Sequence, residues 1–171
     1  MDWEIKKRGR VTYYRKPTNR LFSDLVVEEL DNGDLKIRFV GMTGARAATN
    51  ELGLEDTARM DPEREIPRTF DTWDLYVREA GICGGLADLD FLEVHSFGAA
   101  PKSPSPITDP EGYAAEKSRI RTAYTEAYAE YWEKKLPDNG LPVRFTVYLE
   151  ELPDIDACYE LSAVALLQRT R

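Results

Sequence analysis

The chain has little of the chemistry that most often marks an enzyme. In 171 residues there is one histidine, His95, and only two cysteines, Cys83 and Cys158. One imidazole and two distant thiols do not match the spacing of a zinc site, and they make no disulfide framework. No metal and no cofactor are expected, and a reducing cytoplasmic setting is the simplest home. Long apolar runs are also missing: none approaches the roughly 20 residues that span a bilayer. The opening Met1-Asp2-Trp3-Glu4-Ile5-Lys6-Lys7-Arg8 has charges with no apolar stretch behind them, so neither a secretory signal nor a membrane partner is expected. There is no P-loop spacing, no dinucleotide fingerprint, no hydrolase elbow and no internal repeat.

What the chain does have is charge, unevenly spread. Charged residues make up 32% and apolar residues 42%, the balance of an ordinary globular domain, and the net charge is -8. Residues 1–20 hold seven Lys and Arg against two acids, for a net +5. The other 151 residues carry 16 basic and 29 acidic side chains, for a net -13. An acidic body repels a phosphate backbone, so direct nucleic-acid binding is not expected. The basic N-terminal stretch reads as a phosphate contact or as an edge strand guarded by Lys and Arg.

The patterning predicts one α+β domain over residues 1–171. Its expected architecture is a mostly antiparallel sheet of about five to six strands, with a long helix and one shorter helix packed on one face. Val11–Tyr14 and Leu21–Leu30 are β-prone. Asn32-Gly33 supplies the residues of a type I′ turn before Leu35, Ile37 and Phe39, which alternate with Lys36 and Arg38. Residues 41–68 are glycine- and proline-punctuated, with a short helix expected near Leu54–Met60. A helix is expected from Thr69–Asp74, capped by Asp71 or Thr72 and ended by Gly81. Leu89–Phe97 reads as a strand. Asp109-Pro110 starts a long helix running to about Leu136. Val143–Glu150 and Ala157–Leu167 are the final strands.

Several places invite a functional reading. Glu93 and His95 share one face of a strand and form a pair able to hold a cation or move a proton. Cys83 lies among glycines in Gly81–Gly85, where a thiol could be presented to His95 as a nucleophile. Gly41, Gly44 and Arg46 make a loop that could offer amides and a guanidinium to a ligand. Glu150, Glu151, Asp154, Asp156 and Glu160 form the densest acidic cluster. Tyr124, Tyr128, Tyr131 and Trp132 crowd the long helix and suit a recognition surface.

Taken together, the acidity and the aromatic helix favour a non-enzymatic binding protein for a basic protein partner, such as an inhibitor or immunity-type antagonist. The alternative is a small enzyme or ligand-binding domain whose site joins the Gly41–Arg46 loop, the Gly81–Gly85 turn and Glu93/His95. A structural or assembly subunit is the third reading, and the sequence carries no signal of oligomeric state.

Overall fold

The computed structural model describes residues 3–19, 23–45, 51–56, 58, 60–154 and 157–169. In chain order the elements are β1 (Glu4–Arg8), β2 (Val11–Arg15), β3 (Leu25–Glu29), β4 (Leu35–Thr43), α1 (Pro62–Glu79), a 3-10 turn (Leu86–Asp88), β5 (Asp90–Ala99), α2 (Pro110–Lys135), β6 (Val143–Leu149) and β7 (Tyr159–Leu167). The strands form one seven-stranded sheet in the order β1-β2-β3-β4-β7-β5-β6.

The α+β reading holds, with a strand more than expected and one parallel pair. The additional strand is β1, the basic N-terminal stretch, which lies exposed at one edge of the sheet. The parallel pair is β5 with β6, in which Val94 sits opposite Arg144 and His95 opposite Phe145. Its cause is the connection: a strand, a helix and a strand return the chain in its original direction, which a tight turn cannot do. β6 is the other edge and is exposed along nearly its whole length, with Val143, Phe145, Val147 and Leu149 facing solvent.

The β3–β4 hairpin forms as the Asn-Gly signal predicts, but its turn is different. Among the described residues of the loop only Gly33 has positive φ, at 86°. The Leu30 amide bonds the Asp34 carbonyl at 2.8 Å and the Gly33 amide bonds the Leu30 carbonyl at 3.0 Å. That is a three-residue loop with a left-handed glycine, the usual alternative to a two-residue type I′ turn.

Helix α1 begins well before the expected Thr69–Asp74. Asp61 is its N-cap and Pro62 its first residue, and Pro67 lies inside it. An interior proline removes one helical hydrogen bond and normally breaks a helix. Here Ile66, Thr69, Phe70, Trp73 and Val77 are all buried on one face, and that burial outweighs the break. The residues expected to cap the helix do other work: Asp71 accepts from Tyr131 Oη at 2.9 Å, and Thr72 Oγ1 donates to the Arg68 carbonyl at 2.7 Å. The described residues within 54–60 form no helix. Termination is as expected, with Gly81 at φ 67°. Helix α2 also starts as predicted, Asp109 accepting from the Gly112 amide at 2.9 Å.

Both helices lie on the same face of the sheet, and the main core is between them. Phe39 meets Trp73 at 4.9 Å and Phe91 at 5.8 Å, Phe91 meets Trp132 at 5.4 Å, and Phe70 stacks on Tyr131 at 4.8 Å. Each such burial stabilises the fold by about 1.5–3 kcal/mol before entropy is counted. The opposite face of the sheet carries no helix among the described residues.

Candidate functional site

Strand β7 sits between β4 and β5 and displays two kinds of side chain. Tyr159, Leu161, Ala163 and Ala165 point under the helices and are buried, whereas Glu160, Ser162, Val164 and Leu166 point to the helix-free face and are only half-buried. The period of two along a strand enforces this division. Register places Glu160 opposite Phe97 of β5 on one side and Thr43 of β4 on the other, while Ser162 lies opposite His95.

The end of β4 departs from regular pairing where the chain reaches Gly41. Phe39 pairs with Ala163 and Met42 with Leu161, so the ladder slips between them. Such a bulge lets a strand bend and re-aim its neighbours. A Cβ on Gly41 would collide with the Glu160 carboxylate, so glycine lets that carboxylate lie against the bulge. Nearby, Thr43 Oγ1 donates to Asp154 Oδ2 at 2.8 Å. Two separate sequence signals, the glycine loop and the acidic cluster, are thus brought together at Gly41, Asp154 and Glu160.

These residues line a cleft of about 380 Å³, together with Lys16, Asp24 and Thr43. Lys16 is almost fully buried, with its ammonium 4.2 Å from the Tyr76 ring and 5.4 Å from the Trp3 ring, and it is ion-paired with Glu51. Asp24 accepts from the Lys16 amide at 2.7 Å and from Asn19 at 3.1 Å. Glu160 differs: it has no hydrogen-bond or ion-pair partner among the described residues. Burial alone raises its pKa above the ordinary carboxylate value. Sequence reading grouped Glu160 with the acids of the last turn and missed Lys16 as a lining residue. The signal for Glu160 was present, as the single acid in an otherwise apolar alternating strand.

Glu93 and His95 share a face, as the spacing predicts, with His95 Nε2 3.0 Å from Glu93 Oε2 and the imidazole 4.5 Å from the Phe145 ring. That face is the helix-free one, also occupied by Glu160 and Ser162. No cluster of three or more potential metal-binding side chains occurs among the described residues.

Cys83 is not brought to His95. It packs against the main core on the helix side, and its thiol contacts the Gly85 carbonyl at 3.3 Å. Burial, then the nearby Asp88 and Asp74, push the thiol pKa up, the wrong direction for a nucleophile. The Gly81–Gly85 turn is occupied structurally: Asp88 accepts from the Gly84 amide at 2.7 Å and Asp74 from the Leu86 amide at 2.8 Å. Gly44 has a packing reason as well, since a Cβ there would collide with the backbone of Glu65. Glu150 and Glu151 are exposed. Arg46 and Asp156 lie outside the described residues.

The aromatic helix is core, not a recognition surface. Tyr124, Tyr128, Tyr131 and Trp132 are all buried. Tyr124 stacks on Tyr159 at 4.1 Å and hydrogen-bonds Ser96, and Tyr128 stacks on Trp132 at 5.2 Å. Above them lies the exposed guanidinium of Arg144, 4.8 Å from the Tyr128 ring and 5.3 Å from that of Tyr124, a cation that sequence reading did not single out.

Neither a protein-family profile nor a curated protein sequence matches the chain. Solved structures do. Escherichia coli TdcF with bound serine aligns over 90% of this chain and 94% of its own, at 17% identity and a TM-score of 0.56. The fold is that of the YjgF and Rid proteins. The Escherichia coli YjgF gene product aligns over 90% of this chain and 92% of its own, at 16% identity and a TM-score of 0.55. YyfA from Yersinia pestis, of the conserved Rid protein family, aligns over 88% and 92%, at 19% identity and a TM-score of 0.52.

These findings correct the reading of the chain as an acidic antagonist of a basic protein. That reading needed an exposed aromatic stripe on the long helix, and Tyr124, Tyr128, Tyr131 and Trp132 are buried. The neighbours by fold are YjgF and Rid proteins, one of them holding a small molecule. No helix among the described residues is long and apolar enough to cross a membrane.

Proposed function

We propose that the chain is a small-molecule-binding protein whose ligand sits in the cleft at Gly41, Thr43 and Glu160, with Glu160 as the group that engages it. The observation that carries this reading is the half-buried Glu160 carboxylate, which has no partner among the described residues. Leaving such a group without a donor is costly, and a ligand that donates to it removes the cost. The cleft volume of about 380 Å³ falls in the range of small-metabolite pockets. Asp24 and Asp154 beside Glu160 favour a ligand bearing an amine. The likeness of fold to TdcF, which holds serine, supports an amino-acid-sized ligand.

A carboxyl shifted upward by burial also suits proton transfer, so Glu160 is the residue through which a bound amine or imine would gain or lose a proton. The test is calorimetric titration of the wild type and of Glu160→Gln with L-serine and a panel of small amines. Saturable binding in the wild type that is lost in the folded variant supports the reading. Equal affinity in both proteins overturns it.

A further inference from the structure

Glu65, in the first turn of α1, is the most completely buried charged side chain among the described residues. Its Oε2 accepts from the Cys158 amide at 2.9 Å and the Tyr159 amide at 3.1 Å. Its Oε1 accepts from the Asp61 and Cys158 amides, each at 3.2 Å. It has no ion pair among the described residues. One side chain therefore closes the start of α1 and also takes the amides that lead into β7.

The other side of the cleft is tied to the same turn. Gly44, next to Thr43 at the end of β4, lies so close to the Glu65 backbone that a Cβ would collide with it. Thr43 and Glu160 are cross-strand partners. The first turn of α1 is thus wedged behind both strands that frame the cleft, and the residue directly after the Glu65-bound amides is Glu160.

The ionised carboxylate suits this place, because every backbone group it meets is a donor. A protonated carboxyl does not: its O–H would face the same N–H groups, so at least one of those bonds must lengthen. The titratable and charged groups around Glu65 are few. Asp61 lies at the helix cap, the Cys158 thiol donates to the carboxylate, and from α2 Arg119, held by Glu116 at 2.8 Å, acts on Asp61 and Cys158. Thr43 of β4 and Gly44 just after it contribute no charge.

We infer that Glu65 is a proton-sensitive positioning residue of the cleft: its carboxylate anchors the amides that open β7, and its protonation releases them and shifts Glu160. The inference rests on the reading of that cleft as the ligand site. Desolvation moves the Glu65 carboxyl up to about 7 against the pull of its hydrogen bonds, so the release falls near neutrality.

The test follows the backbone resonances of Cys158, Tyr159 and Glu160 in the ligand-free wild-type protein across pH. All three are expected to move with a common midpoint near 7. In Glu65→Gln, which cannot ionise, that shared step should vanish, while any step belonging to Glu160 itself should remain. L-serine affinity, measured over the same range, should change several-fold across the midpoint in the wild type and stay flat there in Glu65→Gln. Amides of Cys158 and Tyr159 that do not titrate, or a step that survives Glu65→Gln, would overturn the inference. Should Glu65→Gln fail to fold, the wild-type resonances decide alone. Should L-serine fail to bind, the proposed ligand is wrong, and the common midpoint at Glu160 still decides whether Glu65 positions it.

Discussion

On the covered face of the sheet, β7 presents Tyr159, Leu161, Ala163 and Ala165 beneath two helices; on the bare face it presents Glu160, Ser162, Val164 and Leu166. The same strand serves both. The covered side is held by aromatic packing from Phe39, Trp73, Phe91 and Trp132, and its buried Glu65 is bonded to three amides and its Ser96 to Tyr124. The bare side has a carboxylate with no donor among the described residues, and its side chains are only half-buried. The packing that stabilises the fold therefore lies on one face and the proposed ligand site on the other. Substitutions should separate accordingly, covered-face changes altering unfolding and bare-face changes altering binding.

The largest effect should come from the centre of the covered face. Trp73→Ala removes a side chain in contact with Phe39 and Phe70, and a loss of about 3–5 kcal/mol in urea unfolding is expected. Val164→Ala, on the bare face of β7, should lose no more than about 1.5 kcal/mol in the same measurement. Similar losses for the two would erase the contrast between the faces.

Next in size is the pH dependence that Glu65 imposes. Its carboxyl is raised from 4.5 to about 7 in the folded chain. The unfolded chain therefore loses this proton first as pH rises, so the stabilisation is complete below about pH 4.5 and falls away up to about pH 7. The loss attributable to Glu65 is on the order of 3 kcal/mol, because each tenfold difference in proton affinity between the folded and unfolded chains is worth about 1.4 kcal/mol. Urea midpoints of wild type minus those of Glu65→Gln isolate it, since Glu160 drifts in the same direction in both proteins. A difference that does not change with pH would show that Glu65 keeps one protonation state.

Glu160→Gln should do the reverse of a core change. It removes a half-buried charge without a partner among the described residues, so unfolding should shift by less than about 1 kcal/mol while binding is lost. A large destabilisation would make Glu160 structural. Smallest of all, Lys6→Ala on the exposed edge strand β1 should stay within about 0.5 kcal/mol. Lower solubility in that variant, with unchanged stability, would mark Lys6 as an edge guard.

Much of this architecture was legible in the sequence because it rests on local chemistry. Asp109-Pro110 dictates where α2 begins, and the alternation in Val143–Leu149 and Tyr159–Leu167 dictates two strands. The start of α1 was hidden because Pro62 and Pro67 read as breakers, while the burial that overrides them depends on partners distant in sequence. The parallel β5–β6 pair was hidden in the grouping of strands, although a helix between two strands was on view. The site was half legible. Gly41 and the acids were singled out separately, but their meeting depends on a bulge in β4 and on the β7 register, which composition does not encode. The tyrosines of α2 misled because helical spacing looks the same whether a stripe faces a partner or a sheet.

Chemical-shift mapping with L-serine and small amines measures directly where a ligand sits. The largest shifts are predicted at Gly41, Thr43 and Glu160, absent in Glu160→Gln. Shifts confined to Gly84–Leu86 or to the β1 edge, with Glu160 unmoved, would contradict it.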